Sequence, residues 1–227
     1  MKPHEAVVAA LLRERRPRAL LDAPSGSGWL RAQLDFECRI DGVDLYGAAP
    51  QGYASFRAAD LDAGLPDALG EYDAVACCEG LEHLGNPLGF LRSAHRHLRP
   101  EGLLVVSTPN VWHPAARLQY FLRGFFPGFP SLAGRIRPGT HMHIMPWSFP
   151  HLFLYLRLAG FDAIRLHEVD EPKPKRLYEW PLAWPQRVYC RSRERRAASD
   201  EEREYWRQAG SRQSLFGRRL VVSAIRR

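Results

Sequence analysis

The chain contains 227 residues, of which 45% are hydrophobic, so it can bury one sizeable core but is short for two. No apolar run approaches the roughly 20 residues that span a bilayer, and the N-terminal segment lacks the small-residue cleavage site of a secretory signal. The formal net charge of +7, nearly all from arginine, indicates an anionic partner: a phosphorylated substrate, a nucleic acid or a membrane surface. The four cysteines include no C-x-x-C pair, as is typical of reduced thiols in a cytoplasmic protein.

The first half of the chain alternates short apolar runs with segments of helical spacing. An amphipathic helix is predicted over residues 1–17, and the alternation after it is typical of βαβ units. The predicted fold class is therefore α/β: a Rossmann-like, doubly wound, seven-stranded, mostly parallel sheet with helices on both faces. The first five predicted strands cover residues 19–23, 38–47, 53–62, 72–78 and 103–109, with helical segments at 27–34 and 87–98.

The second half departs from this alternation. Residues 111–147 carry no sustained periodicity and are predicted to form a lid or substrate insertion, with a packed connection between the fifth strand and the next helix as the alternative. Residues 148–171 predict a helix and a strand. Residues 172–215 are basic and rich in aromatics, which suits a membrane interface or stacked nucleotides, although charge runs are also typical of solvated helix faces. Residues 216–227 predict the final strand. All of these segments are assigned to one domain, 1–227.

The stretch LLDAPSGSGWL, residues 20–30, joins the first predicted strand to the next helical segment. A glycine-rich turn in this position brings backbone amides close to a ligand above the sheet, and Gly26 and Gly28 have no side chains to block it. The dinucleotide pattern G-x-G-x-x-G fails, because residue 31 is arginine. The loop alone leaves a plain turn and a ligand-binding loop equally open.

Three aspartates, Asp22, Asp44 and Asp60, follow three consecutive predicted strands. Ligands of open parallel sheets bind outside the carboxyl ends of the strands, so these side chains predict one shared site. A carboxylate after the second strand suits a ribose diol, since it can accept hydrogen bonds from both hydroxyls. One after the third strand suits an adenine amine. Capping of the following helix is the alternative for each aspartate.

Five motifs resemble, in order and spacing, those of the class I S-adenosylmethionine-dependent methyltransferases: LLDAPSGSG, GVDLYG, AADLDAGLP, YDAVACCEGLEHL and LRPEGLLVVSTPN. The resemblance covers residues 18–110, which it implies to be the cofactor-binding core, and it implies S-adenosylmethionine as the cofactor. One departure is Pro24, which stands where the family usually has glycine.

The resemblance also assigns parts of the cofactor to particular residues. It implies that Gly26 and Gly28 line the methionine end and that Asp44 binds the ribose. Asp60 and Leu61 would lie beside the adenine. The complete set of expected cofactor-binding residues is Asp22, Ser25, Gly26, Gly28, Asp44, Leu45, Asp60, Leu61 and Glu79.

An E-x-x-E-H element follows the fourth predicted strand directly. If the chain is helical here, Glu79, Glu82 and His83 lie on one face, where they can hold a divalent cation. Oxygen-rich ligation with one or two imidazoles favours magnesium or manganese over zinc. In GTHMHIMPW, His141 and His143 would share a face of an extended segment. The expected metal ligands are Glu79, Glu82, His83 and His143; a metal-free catalytic role and a structural role stay open.

This element resembles that of the metal-dependent small-RNA 3′-end methyltransferases. There a histidine four residues before a tryptophan joins the E-x-x-E-H motif, and here His143 stands four residues before Trp147. Some quinone-pathway O-methyltransferases also share the E-x-x-E-H element.

The predicted activity is transfer of a methyl group from S-adenosylmethionine to an acceptor oxygen. His83 is the favoured proton acceptor, followed by His143 and His141. The expected acceptor is a small hydroxylated metabolite, a saccharide or a lipid-linked glycan, and the basic charge admits an anionic one. An RNA end and a non-catalytic, cofactor-binding or scaffolding protein are the alternatives; no recognisable RNA-binding module supports the former. The expected location is the cytoplasm, with peripheral contact at the inner membrane as an option.

Overall fold

A seven-stranded sheet forms the centre of the computed structural model, which describes residues 1–129 and 142–227. Its strands are β1 (Ala19–Asp22), β2 (Arg39–Asp44), β3 (Ser55–Ala58), β4 (Tyr72–Cys78), β5 (Leu98–Pro109), β6 (Phe161–His167) and β7 (Arg219–Arg226). They lie in the order β3-β2-β1-β4-β5-β7-β6. Strands β1 to β5 are mutually parallel, and β7 runs antiparallel to both of its neighbours. The predicted fold class is thus confirmed.

Helices cover both faces of this sheet. Because successive strand residues point to opposite faces, Leu21 packs with Phe90 and Leu152 on one side, while the adjacent Leu20 packs with Val8 on the other. Within the described part of the chain, no helix is long and apolar enough to cross a membrane. The helices are α1 (Pro3–Arg15), α2 (Pro87–His97), α3 (Pro114–Arg123), α4 (Phe149–Leu158), α5 (Glu179–Arg195), α6 (Asp200–Ala209) and α7 (Arg212–Phe216).

Two predicted elements of the first half are shorter than expected. The segment 27–34 contains only a single 3₁₀ turn, Arg31–Gln33, rather than a helix. The guanidinium of Arg31 donates to the carbonyls of Leu34 at 2.8 Å and Phe36 at 3.2 Å, which holds the following backbone extended. The third strand, predicted over 53–62, ends at Ala58.

The segments without periodicity contain helices, of which the sequence pattern indicated only the solvated helix face offered as one interpretation of the charge run in 172–215. Helix α3 lies inside 111–147, and α5, α6 and α7 fill most of 172–215. Helix α5 contains an internal proline, Pro185, and much of its apolar surface is exposed, so it lacks the usual helical signature. Residues 130–141 of the lid segment, which include His141, lie outside the described residues.

The parallel strands deliver their carboxyl ends to one edge of the sheet. Asp22 at the end of β1 is paired in register with Gly42 of β2 and Ala76 of β4. Strands β2 and β4 therefore extend two residues further, to Asp44 and Cys78. The loops that follow these strands surround the space above the edge.

Candidate active site

A cavity of about 490 Å³ opens at the carboxyl edge of the sheet. The loops after β1, β2, β3 and β4 contribute to its wall, and the N-terminal end of α1 closes one side. Of the residues predicted to bind the cofactor, seven line this cavity: Ser25, Gly26, Asp44, Leu45, Asp60, Leu61 and Glu79. Most of the predicted set is therefore gathered around one space.

The loop after β1 is tied to the end of β2 through Asp44. The backbone N–H of Gly26 donates to Oδ2 of Asp44 at 2.8 Å, and the N–H of Tyr46 donates to Oδ1 at 3.2 Å. Gly26 has φ +50°, and a Cβ at this position would meet no atom within 4 Å. The loop thus presents bare backbone to the cavity, with the Asp44 carboxylate at its border.

Two predicted cofactor residues, Asp22 and Gly28, do not line the cavity. Asp22 is fully buried, and the hydroxyl of Tyr53 donates to its Oδ2 at 2.5 Å. Burial raises the pKa of Asp22 to about 7, although the Tyr53 hydrogen bond opposes the shift. Gly28 packs on Pro50, because a Cβ added at Gly28 would lie only 2.2 Å from the Cβ of Pro50. In this structure both residues support the loop from outside the cavity.

Asp60 has both of the roles considered for it. Its side chain accepts from the N–H of Asp62 at 3.0 Å and caps the 3₁₀ turn Leu61–Ala63. It lines the cavity as well, together with Leu61. Capping and a place at the ligand site are thus compatible here.

Glu79 does not share a helical face with Glu82 and His83, so that part of the prediction is wrong. Glu79 lies before the 3₁₀ turn Leu81–His83, at a left-handed φ of 51°, and its N–H is held by the Ser107 carbonyl at 2.8 Å. Its Oε2 lies 3.1 Å from Nε of Arg219. Burial raises the pKa of Glu79, and Arg219 opposes the shift.

Glu82, His83 and His143 form a cluster beside the cavity. One potential ligand atom of each lies within 4.8 Å of the others, and the two imidazole rings meet edge to face at 5.0 Å. The Thr108 hydroxyl donates to Oε2 of the buried Glu82 at 2.9 Å. Burial raises the pKa of Glu82 to about 7, and the nearby Glu79 acts in the same direction. His143 therefore joins the E-x-x-E-H element, whereas Glu79 lies outside this group.

A second cavity, of about 330 Å³, lies next to the first. His83 lines the first cavity and His143 lines the second, so the contact between their rings separates the two spaces. Glu79 and Arg219 form a second boundary pair in the same way. The remaining lining of the second cavity includes Asn110, His113, Lys175 and Arg218.

Several cavity residues were not singled out from the sequence. The loop residues Trp29, Tyr46 and Asp62 belong to the first cavity, as do Lys2, His4 and Glu5 of the N-terminal segment. The N-terminal segment reaches this cavity through packing between segments that are far apart in the sequence. Nε2 of the buried His4 lies 3.9 Å from Oε1 of Glu79. No local pattern in the sequence could have signalled this contact.

The residues that line the first cavity fit a cationic nucleoside. Carboxylates of Asp44, Asp60, Asp62 and Glu79 surround it, although the chain as a whole is basic. Within the described residues, Ser25 Oγ and Glu79 Oε1 are buried and have no hydrogen-bond partner, so they are available to a ligand. Pro24 lines the first cavity and packs against Gly80. A Cβ added at Gly80 would lie 2.3 Å from Cδ of Pro24.

The parallel sheet, the bare loop after β1 and the carboxylates at the strand ends together define a class I S-adenosylmethionine-dependent methyltransferase. The sequence profile of the methyltransferase-domain family matches residues 3–166, and the chain belongs to that family. The matched range contains β1 to β5, all of β6 except His167, and every residue that lines the first cavity except Lys2.

Known proteins similar to this chain have the same fold. The ubiquinone biosynthesis O-methyltransferase of Pseudomonas paraeruginosa is 30% identical over 107 residues, which are 41% of this chain and 45% of that relative; the chain thus spans less than half of its length. The S-adenosylmethionine-dependent methyltransferase of Mesorhizobium loti has a TM-score of 0.53 at 19% identity, covering 99% of this chain and 98% of that one. The Burkholderia thailandensis 1,6-didemethyltoxoflavin-N1-methyltransferase, solved with 1,6-didemethyltoxoflavin and S-adenosylhomocysteine, has a TM-score of 0.54 at 17% identity, covering 98% and 78%.

The two loop glycines should respond differently to substitution by alanine. Gly28→Ala places a methyl group against Pro50 at φ +75° and should lower the free energy of unfolding by about 2 kcal/mol or more. Gly26→Ala meets open space and should cost only about 1 kcal/mol for its left-handed backbone, while it weakens S-adenosylhomocysteine binding. Urea unfolding and calorimetric titration measure the two effects. Equal stability losses would contradict the division of roles.

Proposed function

We propose that this chain transfers a methyl group from S-adenosylmethionine to a hydroxyl oxygen of a small acceptor. The observation that carries the proposal is the cluster of Glu82, His83 and His143, in which His83 lines the first cavity and His143 lines the second. The first cavity suits the cofactor, and the second is open to an acceptor whose hydroxyl reaches the His83–His143 boundary. The resemblance to a ubiquinone biosynthesis O-methyltransferase supports oxygen as the methylated atom.

His83 is proposed as the group that receives the acceptor's proton. Its Nδ1 lies 2.8 Å from the carbonyl of Met142; because a carbonyl only accepts, Nδ1 carries the hydrogen and directs the ring. The basic lone pair of the neutral ring is then on Nε2, which lies 4.0 Å from Oε1 of Glu82. Glu82 can stabilise the imidazolium that forms. Alignment of the acceptor with the methyl group would supply most of the remaining acceleration.

The same cluster fits a divalent cation in its donor chemistry. Within the described residues, Glu82 Oε1 and His143 Nδ1 are both buried without a hydrogen-bond partner. Magnesium ligands at about 2.1 Å from the metal lie roughly 3 to 4 Å apart, so the cluster, with atoms up to 4.8 Å apart, would have to contract slightly. Without Glu79 the cluster offers one carboxylate and two imidazoles, a donor set that suits manganese better than magnesium. A bound manganese ion would lower the pKa of the acceptor hydroxyl.

The double variant E82Q/H83A tests this site. It should lower methyl transfer by about 100-fold or more, because proton removal loses its acceptor in either version of the mechanism. S-adenosylhomocysteine affinity should fall by no more than about fivefold, a difference of roughly 1 kcal/mol, because His83 lines the first cavity whereas Glu82 does not. Transfer is measured with labelled S-adenosylmethionine across a panel of hydroxylated metabolites and saccharides. Undiminished transfer would contradict the proposal.

Calorimetric titration with manganese distinguishes the metal-dependent mechanism from the metal-free one. Binding in the wild type that is lost in Glu82→Gln but kept in Glu79→Gln supports the metal, since Glu79 is outside the cluster. If manganese does not bind the wild type and methyl transfer still depends on His83, the result supports His83 as a metal-free base.

We further propose peripheral contact with an anionic bilayer through the neighbouring helices α3 and α5. Arg117 Nη2 donates to the Leu182 carbonyl at 3.0 Å and joins the two helices. Aromatic and aliphatic side chains beside arginines suit a membrane interface with anionic lipids. We assign to the proposed membrane face the exposed apolar side chains Leu118, Tyr120, Phe121 and Leu122 from α3, and Leu177, Trp180, Leu182, Trp184, Val188 and Tyr189 from α5 and the residues before it.

Vesicle sedimentation tests the proposed membrane face. The wild type should bind vesicles that contain phosphatidylglycerol, and binding should weaken with added salt. The variant F121S/L122S should bind about tenfold more weakly, since these side chains are 82% and 69% exposed and free to insert. The control L154S/L158S removes exposed leucines from α4 and should bind normally. Equal binding by the two double variants would contradict the assignment.

A further inference from the structure

The second cavity is bordered by an excess of cationic side chains. Among the described residues, Lys175, Arg218 and Arg219 line it and no carboxylate does. Its other polar groups include the amide of Asn110, which is engaged in structural hydrogen bonds to the carbonyls of Ser214 and Gly217. The cations therefore decide what the cavity attracts.

The three cations differ in how their charges are compensated. Arg218 Nη2 lies 2.5 Å from Oε1 of the fully buried Glu179, and Arg219 Nε lies 3.1 Å from Oε2 of Glu79. Lys175 has no ion pair or hydrogen bond with any residue of the described chain. Lys175 is exposed, so among the described residues it supplies the charge at this cavity that no protein group compensates, whereas the two arginines are held in place by their partners.

His113 adds a neutral donor to the same wall. Its Nδ1 accepts from the N–H of Ala116 at 3.1 Å and caps α3, so the ring hydrogen is on Nε2. Burial lowers the pKa of His113 to about 3, and the positive charges of Arg218, Lys175 and Arg117 contribute to the shift. His113 is therefore neutral at neutral pH, and its Nε2–H can donate a hydrogen bond. It lies at the N-terminal end of α3, where the helix dipole favours an anion.

We infer that the second cavity binds an anionic oxygen group of the acceptor, a phosphate or a carboxylate, with Lys175 as the residue that selects it. This inference rests on the proposed function, because it places the acceptor in the second cavity. An anion near Lys175 and His113 leaves the His143 side of the cavity for the hydroxyl to be methylated. The acceptor class is then a hydroxylated small molecule with a phosphate or carboxylate substituent.

Calorimetric titration with inorganic phosphate, and separately with acetate, at constant ionic strength tests the inference. The wild type should bind at least one of the two anions, and the one it binds identifies the substituent. Lys175→Met should weaken that binding about tenfold or more, as expected for loss of a charged hydrogen bond. Lys175→Arg should restore most of it. The matched control is Arg176→Met, which removes the next positive charge along the chain, from a residue that does not line the cavity.

The outcomes are distinguishable from failure of the proposed function. Phosphate or acetate binding that is equal in the wild type and Lys175→Met, or absent from the wild type, overturns the inference. S-adenosylhomocysteine should bind the wild type and Lys175→Met equally, because Lys175 does not line the first cavity. Loss of S-adenosylhomocysteine binding by the wild type would count against the proposed function instead.

Discussion

The first cavity depends on the hydrogen bond from the Gly26 amide to the Asp44 carboxylate, which holds the loop after β1 at the end of β2. This hydrogen bond forms because β1 and β2 are parallel and adjacent, so that the loop after one passes the end of the other. It gives the loop a fixed position without a side chain at Gly26. It also draws a carboxylate to the border of the cavity, where it could serve a ribose.

Charge is distributed unevenly over the molecule, and the two cavities differ in the sign of the charges that border them. The first is bordered by carboxylates and suits a cation, whereas the second is bordered by Lys175 and two arginines. The Glu79–Arg219 pair stands where these opposite potentials meet. A cationic methyl donor and an anionic acceptor would thus be attracted to neighbouring positions, which favours their encounter before any chemistry begins.

The regular part of the fold was predictable because parallel strands covered on both faces read as apolar runs. Strand β4 occupies the predicted 72–78, and Asp44 ends β2 as expected from the sequence. The expectation that Glu79 shares a helical face with Glu82 and His83 was wrong because the backbone of Glu79 itself is left-handed, so no helix runs through it. Tertiary packing, rather than a local sequence pattern, determines that conformation. The approach of His4 to the cavity and the second cavity itself depend on contacts between distant segments, which leave no local pattern.

Calorimetric titration of S-adenosylhomocysteine tests the central claim, that carboxylates at the strand ends form a nucleoside site, most directly. The wild type should bind, and Asp44→Ala should bind about tenfold more weakly or worse, since it loses a charged acceptor and the tie to Gly26. Asp67→Ala, which removes an exposed aspartate away from the cavity, should bind as the wild type does. A wild type that fails to bind, or an Asp44→Ala variant with unchanged affinity, would contradict the account.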